Sequence, residues 1–356
     1  MKQILFSLFL FSLIPFVSKS QSPYPVHGLC LAAPQVELVD DFVDFIDNDL
    51  AKDGLNLLVL RIDYRYKYSS HPELVGDNPY SKKDIKKLVK VCRKNSIRLI
   101  PQINLLGHQS WHSTPGKLLE VYPQFDETPN IQLPENYEWP NTDGLYCKSY
   151  CPLHPEVHNV VFDLVDEICD AFETDAFHAG LDEVFYIGHN QCPRCQGKDK
   201  AELFAGEITL IRNHLKEKNR ELWIWGDRLI DGKTTGIGLW EGSYNNTHRA
   251  IDMIPKDIVI CDWHYERPDP TAVLFAAKGL SVVTCPWKNT ENALKQEKLM
   301  RDLIDGATRE MKPKYKGMLQ TVWGSTQNFM ESYKGVAQKE DKSATCFKAL
   351  SKAWNR

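Results

Sequence analysis

Residues 176–184 read Ala176-Phe177-His178-Ala179-Gly180-Leu181-Asp182-Glu183-Val184. A short apolar run of strand length ends in two adjacent carboxylates. Along an extended strand, neighbouring side chains point to opposite faces, so Asp182 and Glu183 cannot share a task within it. At a strand end the backbone turns, and both side chains can reach one cavity. Two carboxylates meeting in a cavity can divide acid and base work, one kept protonated while the other stays ionised. The same pair also suits a helix N-terminus, where free N–H groups and the helix dipole favour acidic side chains. The segment alone fits both readings, and its surroundings separate them.

Similar apolar, β-branched runs recur at Val26–Ala32, Leu55–Ile62, Ile97–Ile103, Ala176–Leu181, Glu221–Trp225, Ile258–Asp262, Leu280–Thr284 and Gly317–Val322. Amphipathic stretches lie between them, among them Val36–Leu50, Ser81–Lys94, Pro155–Phe172, Lys200–Lys218, Pro270–Ala277 and Asn292–Asp305, and Asp341–Trp354 reads as a closing helix. Eight strands, each followed by a helix, predict an α/β chain folded as a single (β/α)8 TIM barrel. The competing architecture is an open doubly wound sheet, but no glycine-rich phosphate loop follows the first run. Ser113 to Cys151, rich in Pro, Asn and Tyr, reads as one extended loop after the third strand, and a loop of that length is usually functional.

In such a barrel the active site gathers at the carboxyl ends of the strands. The second strand ends Arg61-Ile62-Asp63-Tyr64, the third Asn104-Leu105-Leu106-Gly107-His108, and the fourth Asp182-Glu183. The fifth ends Trp225-Gly226-Asp227-Arg228, the sixth Asp262-Trp263-His264-Tyr265, the seventh Pro286-Trp287 and the eighth Trp323-Gly324. One such Trp would fill core or pack on a loop. Trp225, Trp263, Trp287 and Trp323 around one mouth, facing two acids, point to a site that grips a sugar ring, with indole faces on its C–H face and polar groups on its hydroxyls. No nucleophile elbow and no H-E-x-x-H zinc helix is present. His154 and His158 stand at helical i, i+4 spacing, open a helix after a proline-containing turn, and read as structural.

The 356 residues carry a net charge of −4, with 42% hydrophobic and 25% charged residues, which are globular values. No basic run suggests a nucleic-acid partner. Residues 1–20 read as a secretory signal, with Lys2, an apolar core from Ile4 to Val17, and Ser18 and Ser20 before cleavage at Gln21. The apolar run is short for a membrane span. The expectation is an exported, periplasmic or extracellular protein, without a membrane span after cleavage, with residues 21–356 as the barrel. Of ten cysteines, Cys30, Cys92, Cys169, Cys261, Cys285 and Cys346 lie in apolar runs and read as buried thiols. Cys147, Cys151, Cys192 and Cys195 form C-x3-C and C-x2-C pairs in loop-like sequence. Two disulfides or a four-thiolate zinc site would fit, and the exported setting favours disulfides or unpaired thiols, with loop bracing as the role.

His178-Ala-Gly-Leu-Asp182-Glu183 resembles the H-x-G-x-D-E motif of glycoside hydrolase family 20, the β-N-acetylhexosaminidases. Ile100-Pro101-Gln-Ile-Asn-Leu-Leu-Gly107-His108 resembles that family's third-strand segment ending in Gly-His. The resemblance runs over about residues 26–356 and implies removal of β-linked N-acetylhexosamine by substrate-assisted retention. The sugar's 2-acetamido oxygen would attack the anomeric carbon. Glu183 would serve as general acid and then base. Asp182 would hold the acetamido N–H. Asp63 and His108 resemble a supporting Asp–His pair, and Tyr265 is the candidate for the acetamido carbonyl. Trp225, Trp263, Trp287 and Trp323 would wall the pocket, with His178 and Asp227 counted among the substrate-binding residues.

The resemblance implies no cofactor and no metal, and a glycan or glycoconjugate as the partner. It is incomplete in places. The first strand, Leu29-Cys30-Leu31-Ala32-Ala33, lacks the Arg that often holds outer hydroxyls. Gln102 and Asn104 replace third-strand acids, and Trp323-Gly324-Ser325 replaces a Trp-x-Glu. The pattern is that of a divergent, barrel-only branch, without the small α/β domain that usually precedes the barrel. Two rival readings remain: a retaining glycosidase using Asp227 or Glu241 as nucleophile on sugars lacking the acetamido group, and an inactive glycan-binding barrel.

Overall fold

The computed structural model describes residues 24–112, 114–133 and 147–355. The expected leader, residues 1–20, lies outside them. Eight parallel strands form a closed ring: β1 (Val26–Ala32), β2 (Leu57–Arg61), β3 (Arg98–Leu105), β4 (Ala176–Gly180), β5 (Glu221–Trp225), β6 (Val259–Trp263), β7 (Ser281–Cys285) and β8 (Tyr315–Val322). Closure runs through β1, where Gly28 pairs with Leu57 of β2 and Val26 with Gly317 of β8. Strands fall at every expected place, with ends that coincide or differ by at most two residues.

Strand parity sorts the side chains into two cores. Cys30, Val59, Ile100, Ala176, Trp223, Trp225, Cys261, Val283, Cys285 and Leu319 fill the lumen. Their neighbours Leu29, Leu31, Leu58, Leu60 and Ile224 face outward into the larger core beneath the helices. Because the period is two, an inward Trp223 fixes Trp225 inward as well, at the mouth. The helices follow local signals. Ser81 caps Lys82–Lys94 through a reciprocal bond pattern with Asp84. Asp199 caps Lys200–Glu217, and Asp341 caps Lys342–Trp354. No described helix is long and apolar enough to cross a membrane.

Two expectations need correction. Strand β5 is not followed by a full helix, only by the single turn Gly232–Thr235 and the 3-10 turn Thr247–Asp252. This connection instead wraps a buried cation. One guanidinium nitrogen of Arg228 donates to the carbonyls of Leu239, Trp240 and Gly242 at 2.8, 2.8 and 2.9 Å, and those carbonyls are not available to a helix. The stretch after β3 is also not one open loop. It holds a tight hairpin (Ser110–Trp111 with Thr114–Pro115) and a helix, Lys117–Val121. A further helix, Thr326–Lys334, follows β8 with Ser325 as its cap.

Strand β4 ends at a position only glycine suits. Gly180 has φ +70°, and a Cβ there would sit 2.4 Å from Asn104 Oδ1 on β3. Gly180→Ala is therefore expected to cost about 1–3 kcal/mol, read as a lowered melting temperature by circular dichroism.

Candidate active site

The mouth of the barrel is built from left-handed backbone. Asp63 (φ 45°), Leu106 (59°), His108 (52°), Leu181 (67°) and Glu183 (50°) all lie in the αL region, which bulky residues rarely adopt and which clusters at functional sites. These turns solve the problem set by the strand. With Leu181 and Glu183 both left-handed, the adjacent carboxylates swing to one side. His108 Nε2 lies 3.0 Å from Asp182 Oδ2 and 3.1 Å from Glu183 Oε2. One ring nitrogen touching two neighbouring acids shows that they converge. Gly107 allows the approach, since a Cβ there would meet the Asp182 carbonyl oxygen at 2.5 Å.

The charges at this junction are strongly coupled. Burial opposes a charged His108 ring, yet the Asp182 carboxylate and the Cys147 sulfur hold it well above its ordinary range. Burial alone would raise Asp182, but the His108 charge and hydrogen bond outweigh it and hold the carboxyl below its ordinary range. The pair is thus an imidazolium and a carboxylate at neutral pH. The other ring nitrogen, Nδ1, lies 3.2 Å from Cys147 Sγ, which is itself 3.8 Å from Glu183 Oε2. His108, Cys147 and Glu183 each offer a ligand atom within 4.8 Å of the others.

Asp63 sits at the same junction. Its Oδ1 accepts the Asn104 N–H at 2.9 Å. Burial raises its carboxyl above the ordinary range, against the Asn104 bond and the charges of Arg61 and His108.

The structure brings the strand-end aromatic rings together. Trp225 and Trp323 lie 5.7 Å apart, Trp263 and Tyr265 4.9 Å, and Tyr265 and Trp287 5.4 Å. The Trp323 indole N–H donates to the Tyr265 oxygen at 2.6 Å. Arg61 covers the Trp323 face at 4.5 Å. Three buried polar atoms here have no hydrogen-bond partner among the described residues: Asp182 Oδ1, Trp225 Nε1 and Trp287 Nε1. Buried groups of this kind are costly unless something pairs them.

Two predicted substrate-binding residues lie beneath the pocket rather than in it. His178 is fully buried and packs under Trp225 with ring centroids 4.5 Å apart, so it supports a wall. Asp227 has both oxygens engaged inside the protein. Oδ2 accepts the backbone N–H of Glu183 at 2.9 Å and Arg228 Nε at 2.6 Å, while Oδ1 accepts the Trp263 indole at 3.2 Å. It therefore seats the acid and one wall together. Glu241 is held by His264 Nδ1 at 2.7 Å. His158 bonds Glu207 at 2.8 Å, in keeping with the structural reading of that motif.

The sequence reading missed two residues. Cys147 was grouped with Cys151 as loop bracing, yet only Cys147 enters the site. Four residues of extended chain span about 13 Å, which carries the two thiols to different neighbourhoods. Trp111 stands 57% exposed on the hairpin, its ring 6.2 Å from that of His108. An aromatic next to the Gly-His strand end was the available signal.

A parallel eight-stranded barrel with acids and aromatic rings at its C-terminal mouth defines a (β/α)8 domain with its candidate site at the strand ends. The particular family follows from the chain itself. Residues 59–349 match the catalytic domain of glycosyl hydrolase family 20, and the protein belongs to that family. A lacto-N-biosidase of Bifidobacterium bifidum is 26% identical over 253 residues, covering 68% of this chain and 20% of that protein. A β-hexosaminidase of Emericella nidulans is 25% identical over 281 residues, covering 70% and 41%. The chain thus spans about a fifth to two fifths of the length of these curated relatives. The Flavobacterium johnsoniae chitobiase structure has the same fold, with a TM-score of 0.64 at 18% identity, covering 92% of this chain and 48% of that one.

Two predictions follow from the supporting residues. Asp227→Ala would leave the fully buried Arg228 charge unpaired and should cost about 3–5 kcal/mol in chemical denaturation. His264 is the second case. Burial opposes its charge, but Asp262 and Glu241 raise it to about 10. Its stabilising effect is complete below the ordinary value of 6.5 and is lost as pH rises towards about 10. The melting-temperature gap between the wild type and His264→Gln should therefore narrow steadily from pH 7 to pH 10.

Proposed function

We propose that this protein hydrolyses β-linked N-acetylhexosamine from glycans by a substrate-assisted retaining mechanism. The observation that carries the reading is Asp182: a carboxylate held ionised by His108, with its second oxygen buried and without a hydrogen-bond partner among the described residues. An acetamido N–H is a donor that suits this carboxylate oxygen, and the indole N–H groups of Trp225 and Trp287 can serve oxygens of the same sugar. The relatives' names, β-hexosaminidase and lacto-N-biosidase, are those of glycan hydrolases and support the substrate class.

In the proposed reaction the acetamido oxygen attacks the anomeric carbon as the glycosidic bond breaks. Glu183 gives its proton to the leaving oxygen. Asp182 Oδ1 accepts the acetamido N–H and balances the positive charge that develops on the oxazolinium ring. The Tyr265 oxygen already accepts from Trp323, so its own O–H is the group left to donate to the acetamido oxygen. Glu183, now a carboxylate, removes a proton from water as the water opens the ring, and the starting configuration returns. His108 keeps both acids in register, and Asp227 fixes the Glu183 backbone. With no Arg on β1, Trp111 is placed to stack on a sugar beyond the cleaved bond.

A protein nucleophile is the rival. Asp227 has its oxygens committed to Glu183, Arg228 and Trp263, and Glu241 is committed to His264 and the Tyr265 N–H. Neither is free to attack, which favours the acetamido oxygen.

The test compares aryl β-glycosides with and without the 2-acetamido group, alongside a thiazoline mimic of the oxazolinium. Cleavage of the acetamido sugar alone, with tight thiazoline inhibition, is expected. Cleavage of the plain glycoside would overturn the mechanism. Glu183→Gln should lower kcat by about 10²–10⁴ on a substrate with a poor leaving group, and far less on an activated aryl glycoside. Asp182→Asn should lower kcat by about 10²–10³ on both.

A further inference from the structure

Behind the active site lies a second cluster that the proposed chemistry does not use. Cys151, Cys192, Cys195 and Glu127 come together in a fully buried position, 0–1% exposed. Cys151 Sγ is 3.4 Å from Cys195 Sγ and 3.5 Å from Cys192 Sγ. One ligand atom from each of the four residues lies within 4.8 Å of all the others. Glu127 Oε1 accepts the His189 N–H at 2.9 Å, while Oε2 is buried with no hydrogen-bond partner among the described residues. We propose that these four side chains form a structural zinc site, Cys151, Cys192, Cys195 and Glu127, that fastens two active-site loops together.

The geometry is close to what the ion needs. With Zn–S near 2.3 Å, the sulfur–sulfur edge of a tetrahedron is about 3.8 Å, so the sulfurs need to move only a few tenths of an ångström. A carboxylate oxygen completes the fourth corner, and the Glu127 carboxylate already faces the Cys192 and Cys195 thiols. Three thiolates with one carboxylate suit a soft, four-coordinate ion and exclude magnesium or calcium, which take all-oxygen shells. The second shell is present as well. Backbone N–H groups of Arg194 and Cys195 point at the Cys192 sulfur, and that of Leu153 at the Cys151 sulfur. Such bonds stabilise metal-bound thiolates. Three thiols are an odd number, so a disulfide among them would leave one over.

The placement gives the site a purpose. Glu127 and Cys151 belong to the chain after β3, which also delivers Cys147 to the catalytic junction. Cys192 and Cys195 belong to the segment after β4 that begins with Asp182 and Glu183. A zinc ion would tie both segments together where, among the described residues, no helix or strand joins them. On binding, each thiol gives up its proton to solvent as its sulfur takes the metal, and no oxidant or reductant is involved.

The test is metal analysis of the full-length protein, purified without chelator or reductant, with intact mass measured in parallel. The expected result is about one zinc per chain, kept in Cys147→Ser and lost in Cys195→Ser. Glu127→Gln should keep the fold and release zinc to a chromophoric chelator about 10–100-fold faster. As a check that does not depend on the folding of Cys195→Ser, the wild type is also titrated with a mercurial thiol reagent. Release of one zinc as three thiols react supports the site. Zinc-free protein lighter by about 2 Da, with a disulfide mapped among the three cysteines, overturns it. Zinc-free protein with all three thiols reduced, or bound iron in place of zinc, overturns it equally.

Discussion

The contact on which the site depends is the one between His108 Nε2 and two adjacent carboxylates. Neighbouring side chains on regular backbone diverge, so a shared partner for Asp182 and Glu183 requires the chain to leave the strand conformation abruptly. It does so with left-handed residues on both sides of the junction, at Leu106 and His108 after β3 and at Leu181 and Glu183 after β4. Each such residue is strained, and the barrel must hold it in place. The imidazolium contributes to that support, because its charge is opposite to the carboxylate it orders. Positioning and electrostatics are therefore one device: the geometry that brings the acids together also keeps Asp182 ionised.

Beneath this junction the protein sets a second, drier layer. Asp227 and Arg228 form a completely buried pair, and a buried pair is a weak source of net stability. Its value here is connective. Asp227 fixes the Glu183 backbone and the Trp263 indole at once, and Arg228 gathers the carbonyls of the loop after β5. The absence of a full helix after β5 follows from this arrangement. The acid, one pocket wall and a long connection thus share a single anchor.

The loops above the barrel bring further side chains to its mouth. Trp111 stands on a hairpin at the rim, and Cys147 reaches Glu183 from the segment leading to Cys151. Irregular chain of this kind lacks the hydrogen-bond ladders that stiffen a barrel. The proposed zinc clip is one answer to that need, and it lies at the point where the two segments nearest the acids meet.

Much of this was legible in the sequence. Apolar, β-branched runs alternating with amphipathic stretches marked the eight strands and most of their helices, and with them the closed barrel. The strand ends named Asp182, Glu183, His108, Asp63, Tyr265 and the four pocket tryptophans, because a barrel gathers its strand ends at one mouth. Those signals are local, being periods of two and 3.6 residues and short motifs. The tertiary structure decided what depends on partners distant in the chain. It placed His178 under Trp225 and turned Asp227 inwards, because burial is settled by what packs from other strands. It also separated Cys147 from Cys151 and brought Glu127 to Cys192 and Cys195. Spacing along the chain constrains only near neighbours, whereas these contacts arise from loops folding back over a closed barrel.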